Sequence, residues 1–393
     1  MLPYFRNPYN PPDFPYSESQ IISTSDNKLI RPNLPSACSL SQMKDKTVHK
    51  LLEGIRRYGL ENVSTLSKWI DIPVETARYM IWEELPKHCI SVGVTVNLPR
   101  IGLGRWMLSF TPTEKAYTSG IEEFLREGAG LMYLGRVIPH NSGFAMFGIP
   151  FGEHYKLRDQ LEHLRNSNVL ENYSLDELEW LRNVSFNPSF FDFKSRSWKF
   201  SWDEVDKSKE PLLSPETREE QAPVVDYKDI LILKELQRSV PRTLSKLSKT
   251  IGLDQHNLRY HYKTHARRAI AGYYLRLVPK GSVSEQSTMI FTYEFTNEKT
   301  YNEARQTSLA IPFTHRVWKT ERFYCWHVSC PGEYTNGVLN YVNEKFMRLP
   351  GKLNVLNVDS TTEFAGVIPH TLFNEEKGSW NYEPKSALSI AKK

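Results

Sequence analysis

Val63-Ser64-Thr65-Leu66-Ser67-Lys68-Trp69-Ile70 and Leu244-Ser245-Lys246-Leu247-Ser248-Lys249-Thr250-Ile251 can be laid on each other at an offset of 181 residues, without a gap. The alignment spans residues 45–85 and 226–266 and brings Ala77-Arg78-Tyr79 onto Leu258-Arg259-Tyr260. Solenoid repeats recur every ~20–50 residues, so a copy this far away reads as a duplicated domain.

Working outward, Val48, Leu51, Leu52 and Ile55 follow the i, i+3, i+4, i+7 spacing of a buried helical stripe. Ser64 is the expected cap of a second helix carrying Leu66, Trp69 and Ile70. Asp71-Ile72-Pro73 makes a turn, and a third helix is predicted over about Val74–Glu84. The second copy repeats the plan: Ile230, Leu233 and Leu236, then Leu244, Leu247 and Ile251, a turn at Gly252, a cap at Asp254, and a third helix over about Gln255–Arg268. Three short helices with this turn are the pattern of a helix-turn-helix.

After each unit the periodicity changes from helical to alternating. Ile90–Asn97 and Ile270–Val278 read as strands. In the first half a strand at Arg105–Phe110, a helix over about Lys115–Glu127, strands near Leu131–Ile138 and Gly143–Ile149, a helix at His154–Asn166 and a strand near Val184–Phe193 follow. The second half repeats that order between residues 288 and 369. The fold class expected is α+β: two winged-helix-like helix-turn-helix domains alternating with two ferredoxin-like, β-α-β-β-α-β domains. The boundaries expected are a Pro-rich N-terminal arm at 1–44, helix-turn-helix domain 1 at 45–98, ferredoxin-like domain 1 at 99–202, a linker at 203–225, helix-turn-helix domain 2 at 226–279, ferredoxin-like domain 2 at 280–375 and a C-terminal tail at 376–393.

A helix-turn-helix joined by a strand to such a sheet domain resembles the Lrp/AsnC (feast/famine) transcription regulators of bacteria and archaea. The resemblance is carried by Asp226-Tyr227-Lys228-Asp229-Ile230-Leu231, by the stretch Leu244–Leu253, and by Arg268-Ala269-Ile270-Ala271-Gly272-Tyr273. It implies a DNA-binding regulator fused in tandem, archaeal in style, whose sheet domains pair as an internal pseudo-dimer, with homodimerisation a further arrangement. It also implies a small-molecule effector at the sheet domains. The family's Gly-(Tyr/Phe)-Asp turn reads Ser142-Gly143-Phe144-Ala145 and Glu321-Arg322-Phe323-Tyr324 here, without the aspartate, so amino-acid sensing is not expected.

Charge separates the two copies. Residues 242–268 hold seven cations against the single acid Asp254, whereas the chain's whole net charge is only +5. Backbone phosphates attract such a surface. Double-stranded DNA is therefore the expected partner, met by Arg242, Ser245, Lys246, Lys249, Gln255, His256, Arg259, Tyr260, Lys263, Arg267 and Arg268. Residues 61–87 hold five acids against Lys68, Arg78 and Lys87, so the first copy is the weaker partner, keeping Arg78 and Tyr79 as candidate contacts.

Other motifs read as structural. His261 and His265 stand four apart on one helix, but the sequence offers no acid or cysteine beside them, so no metal is expected. Cys325, His327 and Cys330 lack structural-zinc spacing and read as core, as do most sheet-domain aromatics, Trp318 and Trp326 among them. Gly102-Leu103-Gly104 is a loop without the third glycine of a dinucleotide fingerprint. With no phosphate loop, His-Glu-x-x-His or nucleophile elbow, the expectation is a protein that is not an enzyme and carries no cofactor. The rival expectation is a siroheme-decarboxylase-like enzyme, whose family shares this architecture. It would hold a tetrapyrrole with Arg136, His140, His315 and Arg316. A second rival is a non-specific architectural DNA-binding protein. No apolar run reaches the ~20 residues of a membrane helix and no signal peptide is evident, so the chain is expected in the cytoplasm, away from membranes.

Overall fold

The computed structural model describes residues 45–114, 120–139, 142–208, 225–241, 243–277, 285–384 and 386. The expected N-terminal arm lies outside them. The first tri-helical unit comprises α1 (Asp45–Tyr58), α2 (Val63–Ile70) and α3 (Val74–Tyr79). Leu51, Leu52 and Ile55 are fully buried, as their spacing requires. The cap of α2 is Asn62 rather than Ser64: its side-chain oxygen accepts from the Ser64 and Thr65 amides. Asn62 has the extended backbone a cap needs, and Ser64 already lies inside the helix. After Tyr79 the helix widens into a π-turn at Met80–Glu84 and ends in Leu85–Lys87.

After β1 (Ile90–Val96) come β2 (Leu103–Pro112), α4 (Ile121–Glu127), β3 (Leu131–Ile138), β4 (Ser142–Pro150), α5 (His154–Asn166), β5 (Leu170–Glu177), β6 (Trp180–Asn183) and α6 (Trp202–Lys207). The strand expected near Val184–Phe193 is displaced to β5 and β6. Asn187 caps a 3-10 turn at Pro188–Phe190 instead, where proline supplies no ladder N–H. The expected linker opens in α6, which a Ser201/Glu204 capping box starts and Val205 anchors in the core.

The second unit comprises α7 (Tyr227–Arg238), α8 (Leu244–Ile251) and α9 (Gln255–Thr264), capped by Asp226, Thr243 and Asp254. Gly252 takes the left-handed conformation at φ 71° that ends α8; Asp71 does the same at φ 51° after α2. Then follow β7 (Ile270–Leu277), β8 (Gln286–Phe295), α10 (Glu298–Ala310), β9 (Thr314–Lys319), β10 (Phe323–Pro331), α11 (Thr335–Phe346), β11 (Gly351–Val358) and β12 (Phe364–Ala365).

The strands leaving the two units, β1 and β7, pair antiparallel from Ile90↔Leu277 to Val96↔Ile270. Leu275 and Leu277 of β7 pack into the first unit's core, and Val94 and Val96 of β1 into the second's. The remaining strands form one antiparallel sheet in the order β5-β2-β4-β3-β11-β8-β10-β9-β6, with β12 also on β3. Leu178 and Glu179 join the two end strands, and their amides donate to Arg105 and Lys319 carbonyls, so the sheet closes on itself. Its outer faces are covered by α4 and α5 on one half and by α10, α11 and α6 on the other. Its inner face is filled from both halves by Met107, Phe144, Met146, Ile290, Trp318 and Cys325. The aromatic side chains of the sheet are core: Trp318, Tyr324 and Trp326 have no exposed surface. The expected C-terminal tail also packs back, with Trp380 Nε1 donating to the Ile101 carbonyl at 2.6 Å and Tyr382 buried in the first half. Among the described residues no helix is long and apolar enough to cross a membrane.

Candidate functional site

The turn between the second and third helices is built alike in both units. Ser67 Oγ donates to the Ile72 carbonyl at 2.6 Å, and Ser248 Oγ to the Leu253 carbonyl at 2.5 Å, an identical bond at the same offset. It fixes the angle at which the third helix leaves the turn. In the second unit Leu258 anchors α9 inward, so the outer side of that helix is left to solvent. Lys246, Lys249, Gln255, His256, Arg259, Tyr260 and Lys263 are all exposed. Ser245 is half-buried and accepts from Gln255 Nε2 at 2.9 Å. Among the described residues Lys246, Lys249, Arg259 and Lys263 face no carboxylate at ion-pair distance, leaving four uncompensated charges on one face. Arg268 is exposed beside them, its carbonyl accepting from the Arg100 guanidinium. Arg267 turns the other way and pairs with Glu61 of the first unit. Arg242 lies outside the described residues.

In the first unit the cations of the third helix and its extension are paired, while Lys68 on α2 is exposed. Arg78 pairs with Glu75 at 2.6 Å, the Tyr79 hydroxyl donates to Glu84 at 2.6 Å, and Lys87 meets the same carboxylate at 2.7 Å. Burial works to raise the Glu84 carboxyl, but hydrogen bonds from Lys87 and Tyr79 outweigh it and hold the group below its ordinary value.

The helix bearing His261 and His265 does meet an acid, contrary to the sequence reading. Asp229 of α7 is fully buried and sits between them, its two oxygens 3.0 Å from His261 Nδ1 and 3.0 Å from His265 Nδ1. Asp226 Oδ2 lies 3.5 Å from His261 Nδ1. Sequence spacing does not connect this acid to the histidines, because it precedes the first by 32 residues and belongs to another helix.

A second polar cluster lies in the closed sheet. His327 Nε2 is 3.6 Å from Glu363 Oε1, the His315 and His327 rings are 6.2 Å apart, and the Arg316 guanidinium stands 5.8 Å over the Tyr133 ring. Arg316 Nε donates to Asn183 at 3.1 Å, and His315 Nε2 to the Ser329 carbonyl at 3.2 Å. Burial, reinforced by the Arg276 and Arg316 charges, pushes His315 down to about 4. Burial likewise holds His327 low, and raises the Tyr133 hydroxyl and the Glu363 carboxyl. Burial thus disfavours the charged forms of His315, His327, Tyr133 and Glu363 beside the Arg316 guanidinium. Of the residues expected around a tetrapyrrole, His315 and Arg316 are here, joined by His327, Tyr133 and Glu363, which the sequence does not connect. Arg136 is turned to Glu122 of α4 at 2.8 Å, and His140 lies outside the described residues. Cys325 and Cys330 are buried thiols, and burial pushes Cys330 up to about 11.

No family model and no curated protein matches the chain. Among solved structures it is similar to the siroheme decarboxylase NirDL, at 12% identity over 84% of this chain and 96% of that one, with a TM-score of 0.48. A putative monooxygenase from Lactobacillus acidophilus NCFM is similar at 8% identity over 68% of this chain and 98% of that one (TM-score 0.28). AsnC of E. coli is similar at 12% identity over 35% of this chain and 92% of that one (TM-score 0.25). The expectation that the chain is not an enzyme meets a contrary finding: the structures similar to it over two thirds or more of its length include the siroheme decarboxylase and the monooxygenase.

Proposed function

We propose that the chain binds duplex DNA through the second tri-helical unit, as a tandem Lrp/AsnC-type regulator whose sheet halves act as an internal pseudo-dimer. The observation that carries this reading is the face of α8 and α9, with four cations unopposed by any carboxylate among the described residues. A helix of this kind enters the major groove with its N-terminal residues toward base edges while flanking cations grip phosphates. Gln255, His256 and Arg259 occupy the base-facing positions, and Lys246, Lys249 and Lys263 the flanks. The test is selection of bound sequences from a random duplex pool at about 150 mM salt, with Arg259→Ala/Lys263→Ala in parallel. An enriched motif lost in the double variant is the expected result. Binding without a motif would indicate an architectural protein, and absence of binding would overturn the reading.

A second reading rests on the His327–Glu363–Tyr133–Arg316–His315 cluster. Titratable groups shifted by burial, with an arginine beside them, suit an anionic ligand undergoing acid-base chemistry. A tetrapyrrole carboxylate is such a ligand, and haem titration, read by a Soret shift that Arg316→Ala abolishes, tests it. The two readings occupy different parts of the chain and are compatible.

A further inference from the structure

The geometry points to a divalent-cation site of zinc type formed by Asp229, His261 and His265, with Asp226 as the outer donor. The two units provide the first argument. At the offset of 181 the first unit has Val48, Met80 and Glu84 in these places, and Val48 and Met80 are buried apolar core. The fold closes there with two methyl-bearing side chains. Replacing them with a buried carboxylate and an imidazole costs desolvation that packing alone does not require.

The donor set is the second argument. One ligand atom from each of the three residues lies within 4.8 Å of the others. The Asp229 to histidine distances are both 3.0 Å, and Asp226 to His261 is 3.5 Å. Four ligands held tetrahedrally at ~2.0–2.1 Å from a metal stand about 3.3 Å from one another. Two imidazoles with carboxylates suit zinc or cobalt better than calcium or magnesium, which prefer all-oxygen cages. Asp226 is half exposed and His265 partly so, which gives an ion a way in. His261 comes from α9, His265 from the residue that ends it and Asp229 from α7, so an ion would tie the exposed basic helix to the helix beneath it. The site stands whether or not that helix reads DNA.

The same spacings suit N–H···O hydrogen bonds without an ion, and cation binding separates the two. Full-length protein, stripped with chelator, is titrated with Co²⁺ and followed by its visible absorption, then displaced with Zn²⁺. The comparison is Asp229→Val/His261→Met, which installs the first unit's residues and keeps the packing. Wild type is expected to take up one ion per chain with a four-coordinate spectrum and to melt at a higher temperature with Zn²⁺. The double variant is expected to show neither. His265→Gln, a milder change, should weaken Co²⁺ binding by more than tenfold, as even outer-sphere partners of metal ligands do. Equal Co²⁺ uptake and equal melting in wild type and both variants would overturn the site and leave a hydrogen-bonded latch.

Discussion

The two tri-helical units share a skeleton and differ in their chemistry. Their second helices occupy identical positions at the offset, Val63–Ile70 and Leu244–Ile251, and the same serine closes the same turn. Yet one unit pairs Arg78 and Lys87 with acids of its own and fills its core with valine and methionine. The other leaves Lys246, Lys249, Arg259 and Lys263 open and buries a carboxylate between two histidines. A scaffold set by hydrophobic spacing and one turn hydrogen bond thus tolerates opposite choices at the positions that face a partner. The third helices register the difference as well: the first widens into a π-turn where the Tyr79–Glu84 bond spans five residues, while the second stays regular to Thr264.

The contrast is sharpest in the cores. Asp229→Ala strips both histidines of their acceptor and should destabilise by about 3 kcal/mol, whereas Val48→Ala should cost about 1 kcal/mol. Denaturant melts of the two variants measure this directly, and equal losses would mean that the buried acid contributes nothing beyond volume. Next in size is the surface. Removing Arg259 and Lys263 should lower the salt dependence of DNA binding by about 2 in logarithmic slope, while Arg78→Ala in the first unit should leave the slope almost unchanged. A comparable loss from the first unit would erase the distinction between the two faces.

The smallest effect separates the two acids by the sign of their pH dependence. Glu84 is held below its ordinary value, so its stabilisation is complete above the usual carboxylate range and fades as pH falls through the lower folded value. Asp229 is raised by burial, so its contribution favours the fold in acid and fades as pH climbs through the raised value. Glu84→Gln should therefore lower stability by less than about 1 kcal/mol at neutral pH, with the difference shrinking as the solution is acidified through the lowered folded value. A difference that grows on acidification would reverse the assignment.

How much of this was legible from the residues follows from the range of each interaction. Helices with a 3.6 period, such as the Val48-Leu51-Leu52-Ile55 stripe, announce themselves, as does the cap Asp254. Strands flanked by turns in the second half are equally plain. Strand β5 is not: Leu170-Glu171-Asn172-Tyr173-Ser174-Leu175-Asp176-Glu177 has only two fully buried positions and reads as loop, because solvent reaches much of it. Sheet closure is out of reach for a different reason. It joins Val137 to Val358 and brings Glu363 near Tyr133, contacts across more than half the chain that leave no periodic trace. The basic face of α9 was readable because charge accumulates locally, while the acid that completes its histidines had to come from another helix.

The crossed pairing of β1 and β7 has a thermodynamic consequence. Each unit's interior is finished by a strand that follows the other, Leu275 and Leu277 under the first, Val94 and Val96 under the second. Neither head is an autonomous domain, and a fragment ending before residue 270 leaves the first with an open hydrophobic floor. Melting should accordingly reach both heads in one cooperative step. A head whose surface no longer grips a partner would still be retained, because discarding it would unroof its neighbour.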